Sequence, residues 1–388
     1  MFTLKEVFFL NRYDKIYKYI MAILLLLFIG FMVALNILTP NKKFSDSENR
    51  NLEQLPKLSF KNLMGGKFTS NYEKYISDQF ALRDFWIGVK SDTDRVIGKK
   101  ENNDIYLGKD GFLIQKFNKP EDKDLKDKVE TINSFGNLTP NINKYFMLVP
   151  TAVKILEDKL PNYVSDSDEL IYIDKVKKSI NNDINFVDLY DTLSSKKDEY
   201  IFYKTDHHWT TKGAYYAYGE LSKKMGITPK GEEYFNIQKV TDEFYGSLYS
   251  KGGFRHLNPD SIELYLPKGD EKYKVEYLGE DKSYESLYDM NNINKKDKYT
   301  VFFNGNHPLI KITTNKGEGR KLLVVKDSYA NSFIPFLTSH FSEIYMVDLR
   351  YYSEGLNTLI QENQINDMLI LYNANTFFED PSIKNLSK

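Results

Sequence analysis

Hydrophobic positions open the chain as one continuous block. From Ile20 to Leu38 no side chain carries a charge, and about 20 such residues cross a bilayer as a helix. The block is longer than the apolar core of a cleaved signal sequence. It ends in Asn36-Ile37-Leu38-Thr39-Pro40, with no small-residue cleavage pattern. Residues 19–38 therefore read as a retained single-pass membrane anchor. Lys5, Arg12, Lys15 and Lys18 precede the block, and Lys42, Lys43 and Arg50 follow it. A short tail (residues 1–18) before one span and a large domain after it predict a cytoplasmic tail and an extracytoplasmic domain.

After the span the pattern breaks into shorter periods. Residues 39–138 form a juxtamembrane linker, polar with scattered Pro over 41–60, then a helical and hairpin region. Phe68, Tyr72, Tyr75, Ile76, Phe80, Phe85, Trp86 and Val89 recur at helical spacing within 61–100. Asp104–Phe117 predicts a hairpin turning at Lys109-Asp110-Gly111, and residues 120–137 predict a helix. Strands and helices then alternate. Lys144–Val149 and Ile184–Leu189 read as strands around a helix at Glu169–Asn181. Thr210 or Thr211 caps a helix that Gly226 closes.

Residues 228–318 alternate apolar and polar side chains, as in Ile262–Leu266, Tyr273–Tyr277 and Tyr299–Phe303. They predict a β-rich insertion, with a mobile polar loop at 284–298. Strand–helix alternation resumes with a strand at Lys321–Lys326, a helix after Ser328, strands at Ile344–Leu349 and Met368–Tyr372, and a helix near 354–363. Residues 139–227 and 319–380 thus make one α/β domain, its sheet covered by helices on both faces.

Composition narrows the function. Lys+Arg number 53 and Asp+Glu 54, a balance unlike the basic surface that nucleic acid demands, so no nucleic-acid partner is expected. There is no cysteine. Thiol catalysis, zinc–thiolate sites and disulfides are excluded together, as is palmitoyl transfer by an Asp-His-His motif, where Trp209 stands in place of the required Cys.

The candidate chemistry lies in Lys204-Thr-Asp206-His207-His208-Trp209, which holds two of only five histidines. In extended chain, residues two apart share a side. Asp206 and His208 would then face together, with His207 turned away as the alternative base. Leu322-Leu-Val-Val-Lys-Asp327-Ser328 supplies a hydroxyl at a strand end, just before a helix whose first N–H groups would face an oxyanion. A serine needs a histidine base held in one tautomer by a carboxylate. Asp206 and His208 therefore point to Ser328, while Trp209 reads as packing. Manganese phosphoesterases also use an Asp-His-His signature, but they need further acidic motifs. Asp188 and Asp327 complete that pattern poorly, and neither a metal nor another cofactor is expected.

At these residues the chain resembles the DHHW family of bacterial cell-surface proteins, similar to the alginate O-acetyltransferases. The likeness runs over roughly residues 45–380. Besides Asp206–Trp209 it rests on Glu48-Asn-Arg50-Asn-Leu52 before Pro56, Asp78–Asp84, Leu148-Val-Pro150-Thr-Ala-Val-Lys154 and Lys326-Asp-Ser-Tyr-Ala-Asn331. The resemblance implies an SGNH-hydrolase-like (flavodoxin-like) three-layer sandwich. Its triad would be permuted: Asp206 and His208 first, the nucleophile Ser328 later. Lys326 stands where the related block has Gly, and a side chain there would narrow the approach to Ser328.

The resemblance further implies ping-pong acetyl transfer to the hydroxyls of an extracellular polysaccharide or cell-wall glycan. A membrane-bound O-acyltransferase would supply the acetyl groups. Asn306, Asn331 and Arg350 are candidates for oxyanion or acceptor contacts. Two alternatives remain open at this point: an acetylesterase with the same triad, and a catalytically silent glycan-binding or assembly scaffold.

Overall fold

The computed structural model describes residues 4–162, 164 and 168–387. It consists of two compact units, Met1–Thr93 and Asp94–Lys388. In the first, helix Leu4–Leu38 contains Tyr13–Leu38, the one helix among the described residues long and apolar enough to cross a membrane. Leu24, Leu25, Leu26 and Leu27 stand exposed on it, an apolar surface that water does not favour. Helices Phe60–Met64, Lys67–Asp78 and Arg83–Val96 follow where the periodicity places them.

The 41–60 segment is more ordered than a linker. Phe44–Ser45 pairs with Arg50–Asn51. Arg50 donates to Asp78 at 2.9 and 2.6 Å, which holds that carboxyl below the usual range. Arg83 ion-pairs with Glu48. The Glu48–Leu52 and Asp78–Asp84 segments thus interlock through charge.

The second unit begins with the expected hairpin, Ile105–Leu107 against Leu113–Gln115. Eight strands build its central sheet: β1 (Asn143–Val149), β2 (Ile184–Val187), β3 (Tyr273–Tyr277), β4 (Lys282–Tyr284), β5 (Leu309–Thr314), β6 (Lys321–Lys326), β7 (Glu343–Val347) and β8 (Asp367–Asn373). Their spatial order is β4-β3-β5-β7-β6-β8-β1-β2. β7, β6, β8, β1 and β2 run parallel. β5, β3 and β4 add an antiparallel flank. Leu322, Leu323, Val324 and Val325 on β6 are fully buried, as central strands covered on both faces must be.

The 228–318 segment is β-rich but not a separate lobe. Its strands β3, β4 and β5 complete the central sheet, while Phe235–Phe244 and Asp260–Pro267 form a separate ribbon. Val275, Ile310 and Ile312 are apolar and fully buried, and antiparallel pairing needs no crossover helix. Tyr299–Phe303 is not a strand. A 3₁₀ turn spans Lys298–Val301, and Phe303, Asn304 and Gly305 take left-handed φ of 54°, 53° and 95°, which ends any extended run. The 284–298 stretch is also structured. Buried Asn292 donates to the Thr300 carbonyl and to Asn304 Oδ1, both at 2.8 Å.

The loops that matter leave the carboxyl ends of β6, β8 and β1, which are neighbours in the sheet. Segments far apart in sequence therefore converge at the edge where open α/β sheets bind ligands.

Candidate active site

Ser328 follows β6 after one residue, and its side chain is partly exposed. His208 and Asp206 are each only 5% exposed. His208 Nε2 lies 2.8 Å from Ser328 Oγ, and His208 Nδ1 lies 2.5 Å from Asp206 Oδ1. A carboxylate only accepts, so Nδ1 carries the proton and Nε2 is left to receive one from the serine hydroxyl. Burial alone would raise the Asp206 pKa. Attraction to His208 and His207, with hydrogen bonds from His208 and the Ser247 N–H, outweighs it and holds the group ionised, far below the carboxylate range.

The relay is fixed from several elements. Asp206 Oδ2 accepts the Ser247 N–H at 2.7 Å, and Oδ1 also accepts the His208 N–H at 3.0 Å. Just upstream, buried Asp260 accepts the Lys204 and Thr205 N–H groups at 2.8 and 2.7 Å, and the Thr205 and Tyr200 hydroxyls. The Tyr299 ring stacks on His208, with centroids 3.8 Å apart and 11° between planes, and its hydroxyl donates to the Ser328 carbonyl at 3.0 Å. Fully buried Trp209 donates to the Tyr329 carbonyl at 3.0 Å, tying the histidine loop to the serine loop. Its role is packing and tethering. Thr210 caps helix Thr211–Met225 through the Gly213 N–H at 3.3 Å.

Gly246 is required by close approach. A Cβ there would collide with the Asp206 side chain. Gly246→Ala is expected to displace the carboxylate from His208 and lower turnover by about 10²-fold, the scale of a misplaced catalytic group. A crystal structure of the variant with an intact 2.5 Å Asp206–His208 contact would contradict this.

His207 does not turn away from its neighbour. Its ring centroid is 3.9 Å from that of His208, and its Nδ1 meets Ser247 Oγ at 2.7 Å. The loop is a tight turn closed by pairing of Phe202 with Trp209, not extended chain, so alternation fails here. Burial, followed by the closeness of the second imidazole, which disfavours another positive charge, pushes the His207 pKa down to about 4. Asp206, His207 and His208 have donor atoms within 4.8 Å of one another. Asp206 and the two Nδ1 atoms are already engaged by the hydrogen bonds above. Asp188 pairs with Lys177 at 2.7 Å instead of joining them.

Asp327 lies outside the relay and acts as a staple. Its carboxylate accepts the Tyr329 N–H at 2.9 Å, the Asn373 N–H at 2.8 Å and Asn373 Nδ2 at 2.6 Å. Because the Tyr329 N–H is taken, the nearby backbone donor without an acceptor among the described residues is that of Ser328. The helix after Ser328 is short, Ala330–Phe333, and passes into a 3₁₀ turn at Ile334–Leu337.

Lys326 does not cover Ser328. It is fully buried, and its ammonium reaches Asn306 Oδ1 at 2.7 Å, Asn331 Oδ1 at 2.9 Å and Asp348 at 3.8 Å. Asn331 Nδ2 donates to Asn306 Oδ1 at 3.1 Å, and Arg350 forks onto Asp348 at 2.8 and 2.6 Å. Asn306, Asn331 and Arg350 thus form one polar cluster around Lys326. The sequence carries no motif that marks Asp260, Ser247, Tyr299 or Asn373. Gly246-Ser247 before helix Ser247–Gly252 is an ordinary helix start, and nothing in Tyr299's neighbours marks it.

At the end of β1, the Thr151 N–H and hydroxyl donate to buried Glu169 at 2.8 and 2.6 Å. Burial raises the Glu169 pKa to about 7 despite these bonds. The folded state then holds this proton more tightly than the unfolded chain, so the group's contribution is fully present below about pH 4.5 and falls as pH rises to 7. Urea unfolding in detergent at pH 5 and pH 8 should show the wild type losing about 2 kcal/mol that Glu169→Gln does not lose. Equal slopes for the two proteins would refute it.

The fold and site define a class: an α/β protein with a serine–histidine–aspartate relay at the carboxyl edge of a mostly parallel sheet. The chain belongs to the DHHW family, whose profile matches residues 127–347. A DHHW family protein from Eubacterium siraeum superposes with a TM-score of 0.65 at 26% identity, over 74% of this chain and 98% of that one. Bacillus cereus PatB1 superposes at 0.62 and 21% identity, over 72% and 98%. Its structure with a sulfonyl adduct gives 0.61 and 20%, over 73% and 100%. No curated protein matches the chain.

Proposed function

We propose that the protein is a serine-dependent O-acyltransferase that acetylates hydroxyls of an extracytoplasmic glycan. The observation that carries this reading is the 2.8 Å contact between Ser328 Oγ and a histidine whose other nitrogen is held by a carboxylate at 2.5 Å. In the first half-reaction His208 takes the hydroxyl proton, Ser328 Oγ attacks the donor's carbonyl carbon, and the leaving group departs with that proton. In the second, a glycan hydroxyl attacks the acyl-serine, its proton passes to His208, and Ser328 is regenerated. The unpaired Ser328 N–H suits the oxyanion of both tetrahedral intermediates.

Acetyl as the acyl group, an SGNH-like sandwich with permuted triad order, and glycan as the acceptor follow from the resemblance of the Asp-His-His-Trp and Asp-Ser blocks to the alginate O-acetyltransferases. The adduct in PatB1 supports a group in this fold that reacts with sulfonyl reagents. The Tyr13–Leu38 helix supports anchorage. The extracytoplasmic placing of the second unit is part of the proposal, and a membrane-bound O-acyltransferase as acetyl source follows from the family resemblance alone.

A chromogenic acetyl ester, offered with and without oligosaccharides and before and after treatment with a sulfonyl fluoride, tests the reading. Acetyl transfer to sugar, blocked by sulfonylation at Ser328, is expected. Hydrolysis alone would make the protein an esterase. No turnover, with glycan binding unchanged in Ser328→Ala, would support a silent glycan-binding or assembly protein.

A further inference from the structure

The first unit shows apolar surface beyond the membrane helix. Phe80, Leu82 and Phe85 are all exposed, the last two by 60% and 59%. Leu82 stands at the turn before helix Arg83–Val96 with a left-handed φ of 58°, a conformation that glycine and asparagine adopt most easily. Nothing in water favours a leucine displayed there.

Hydrogen bonds fix where this turn lies. The Ala81 N–H donates to Asn36 Oδ1 at 2.9 Å, and Ala81 is 1% exposed. Asn36 belongs to the last turn of helix Leu4–Leu38, about 3 Å along the axis from its end. The Lys42 N–H donates to Gln79 Oε1, and Gln79 Nε2 to the Lys42 carbonyl, both at 2.9 Å. One helical turn deeper than Asn36, Met32 is buried, while Leu24–Leu27 are exposed. The uncharged run Ile20–Leu38 is about 28 Å long, close to the hydrocarbon thickness of about 30 Å. Its last turn therefore reaches the edge of the hydrocarbon, and the Phe80–Leu82 turn lies beside it. The charges next to this turn are taken up within the unit. Arg83 donates to the Ser77 carbonyl at 3.0 Å and pairs with Glu48, and Ser47 Oγ donates to Asp84. Pairing lowers the cost of leaving water.

We propose that the Phe80–Phe85 segment docks in the membrane interface, with Phe80, Leu82 and Phe85 inserted among lipid headgroups and the nearest chain carbons. The inference rests on reading Tyr13–Leu38 as a membrane span. Lipid is the occupant because a surface hydrogen-bonded to the last turn of a span is already at the level of the bilayer. A lone helix can tilt in the membrane. A second point of insertion fixes which face of the first unit meets the lipid.

The chain has no cysteine, so single-cysteine variants each take one environment-sensitive fluorophore. Leu82→Cys, Phe85→Cys, Lys90→Cys and Ile29→Cys are labelled in the full-length protein and reconstituted into phosphatidylcholine vesicles. Lys90 is exposed and lies about 140° round the helix from Phe85. Ile29, in mid-span, reports the span itself. Phosphatidylcholine brominated on the chains near the headgroup is expected to quench the Leu82 and Phe85 labels about threefold more strongly than the Lys90 label, as insertion by about 5–10 Å requires. Phe80→Ser with Phe85→Ser should bring the Leu82 label down to the Lys90 level and leave the Ile29 label unchanged. Leu82 and Phe85 labels open to a water-soluble quencher, with Ile29 quenched by lipid, overturn the docking and leave the span standing. Labels shielded from both quenchers mean that protein covers the surface, which overturns the lipid assignment. An Ile29 label open to water refutes the span, and the docking falls with it.

Discussion

Alanine in place of Ser328 should stop acyl-enzyme formation, with turnover of an acetyl ester falling by about 10⁴-fold or more. The size follows from the lack of a substitute nucleophile. The chain has no cysteine. Tyr329, the next hydroxyl in sequence, donates to the His207 carbonyl at 2.5 Å and is fully buried. The buried Ser332 hydroxyl is held between Trp209 and Tyr299 at 3.1 and 3.2 Å. Neither can reach His208 Nε2 without breaking those bonds. Folding should be nearly unaffected, within about 1 kcal/mol, because Ser328 is partly exposed and water can replace its hydroxyl at the imidazole. The measurement is kcat with mass spectrometry of the trapped acyl or sulfonyl adduct. A Ser328→Ala protein that still acquires a sulfonyl group and turns over ester at the wild-type rate would place the nucleophile elsewhere.

Periodic segments were the legible part of the fold. The helix from Thr211 to Met225 and its Gly226 stop appear as expected, with Gly226 at φ 66°, because cap chemistry and apolar spacing are local. The pairing of β3 and β5 into the main sheet was not legible, since register between strands far apart in sequence depends on tertiary packing. The same division holds at the site. Asp206, His208 and Ser328 carry reactive groups in a short motif and at a strand end, so the sequence could nominate them. Asp260, Ser247 and Tyr299 act by position alone. The placing of His207 beside His208, and of Lys326 beneath the polar cluster instead of over Ser328, likewise depends on three-dimensional contacts that no spacing rule contains.

Two buried carboxylates meet at the site, Asp206 within the relay and Asp327 beside it, and asparagine at each should separate their roles. At Asp206, the substitution leaves one oxygen and one NH₂ where two acceptors are needed: one toward the Ser247 N–H, one toward His208 Nδ1. If the oxygen keeps the Ser247 N–H, the amide donates to Nδ1, and the imidazole proton moves to Nε2. His208 then cannot accept from Ser328. If the oxygen keeps Nδ1–H, two donors face each other at Ser247. The first outcome leaves the His208 N–H without its acceptor and loses the base, so kcat should drop about 10⁴-fold, the scale of a wrong-tautomer histidine. At Asp327, the lost acceptor faces Tyr329 or Asn373 N–H groups instead. That should cost about 1–3 kcal/mol of stability for unpaired buried donors, with no change in the His208 tautomer. Nitrogen NMR of the imidazole reports the tautomer directly, and unfolding curves report the cost. Should Asp327→Asn flip the His208 tautomer while Asp206→Asn keeps turnover within tenfold, the orienting acid is Asp327, and the 2.5 Å Asp206–His208 contact is structural.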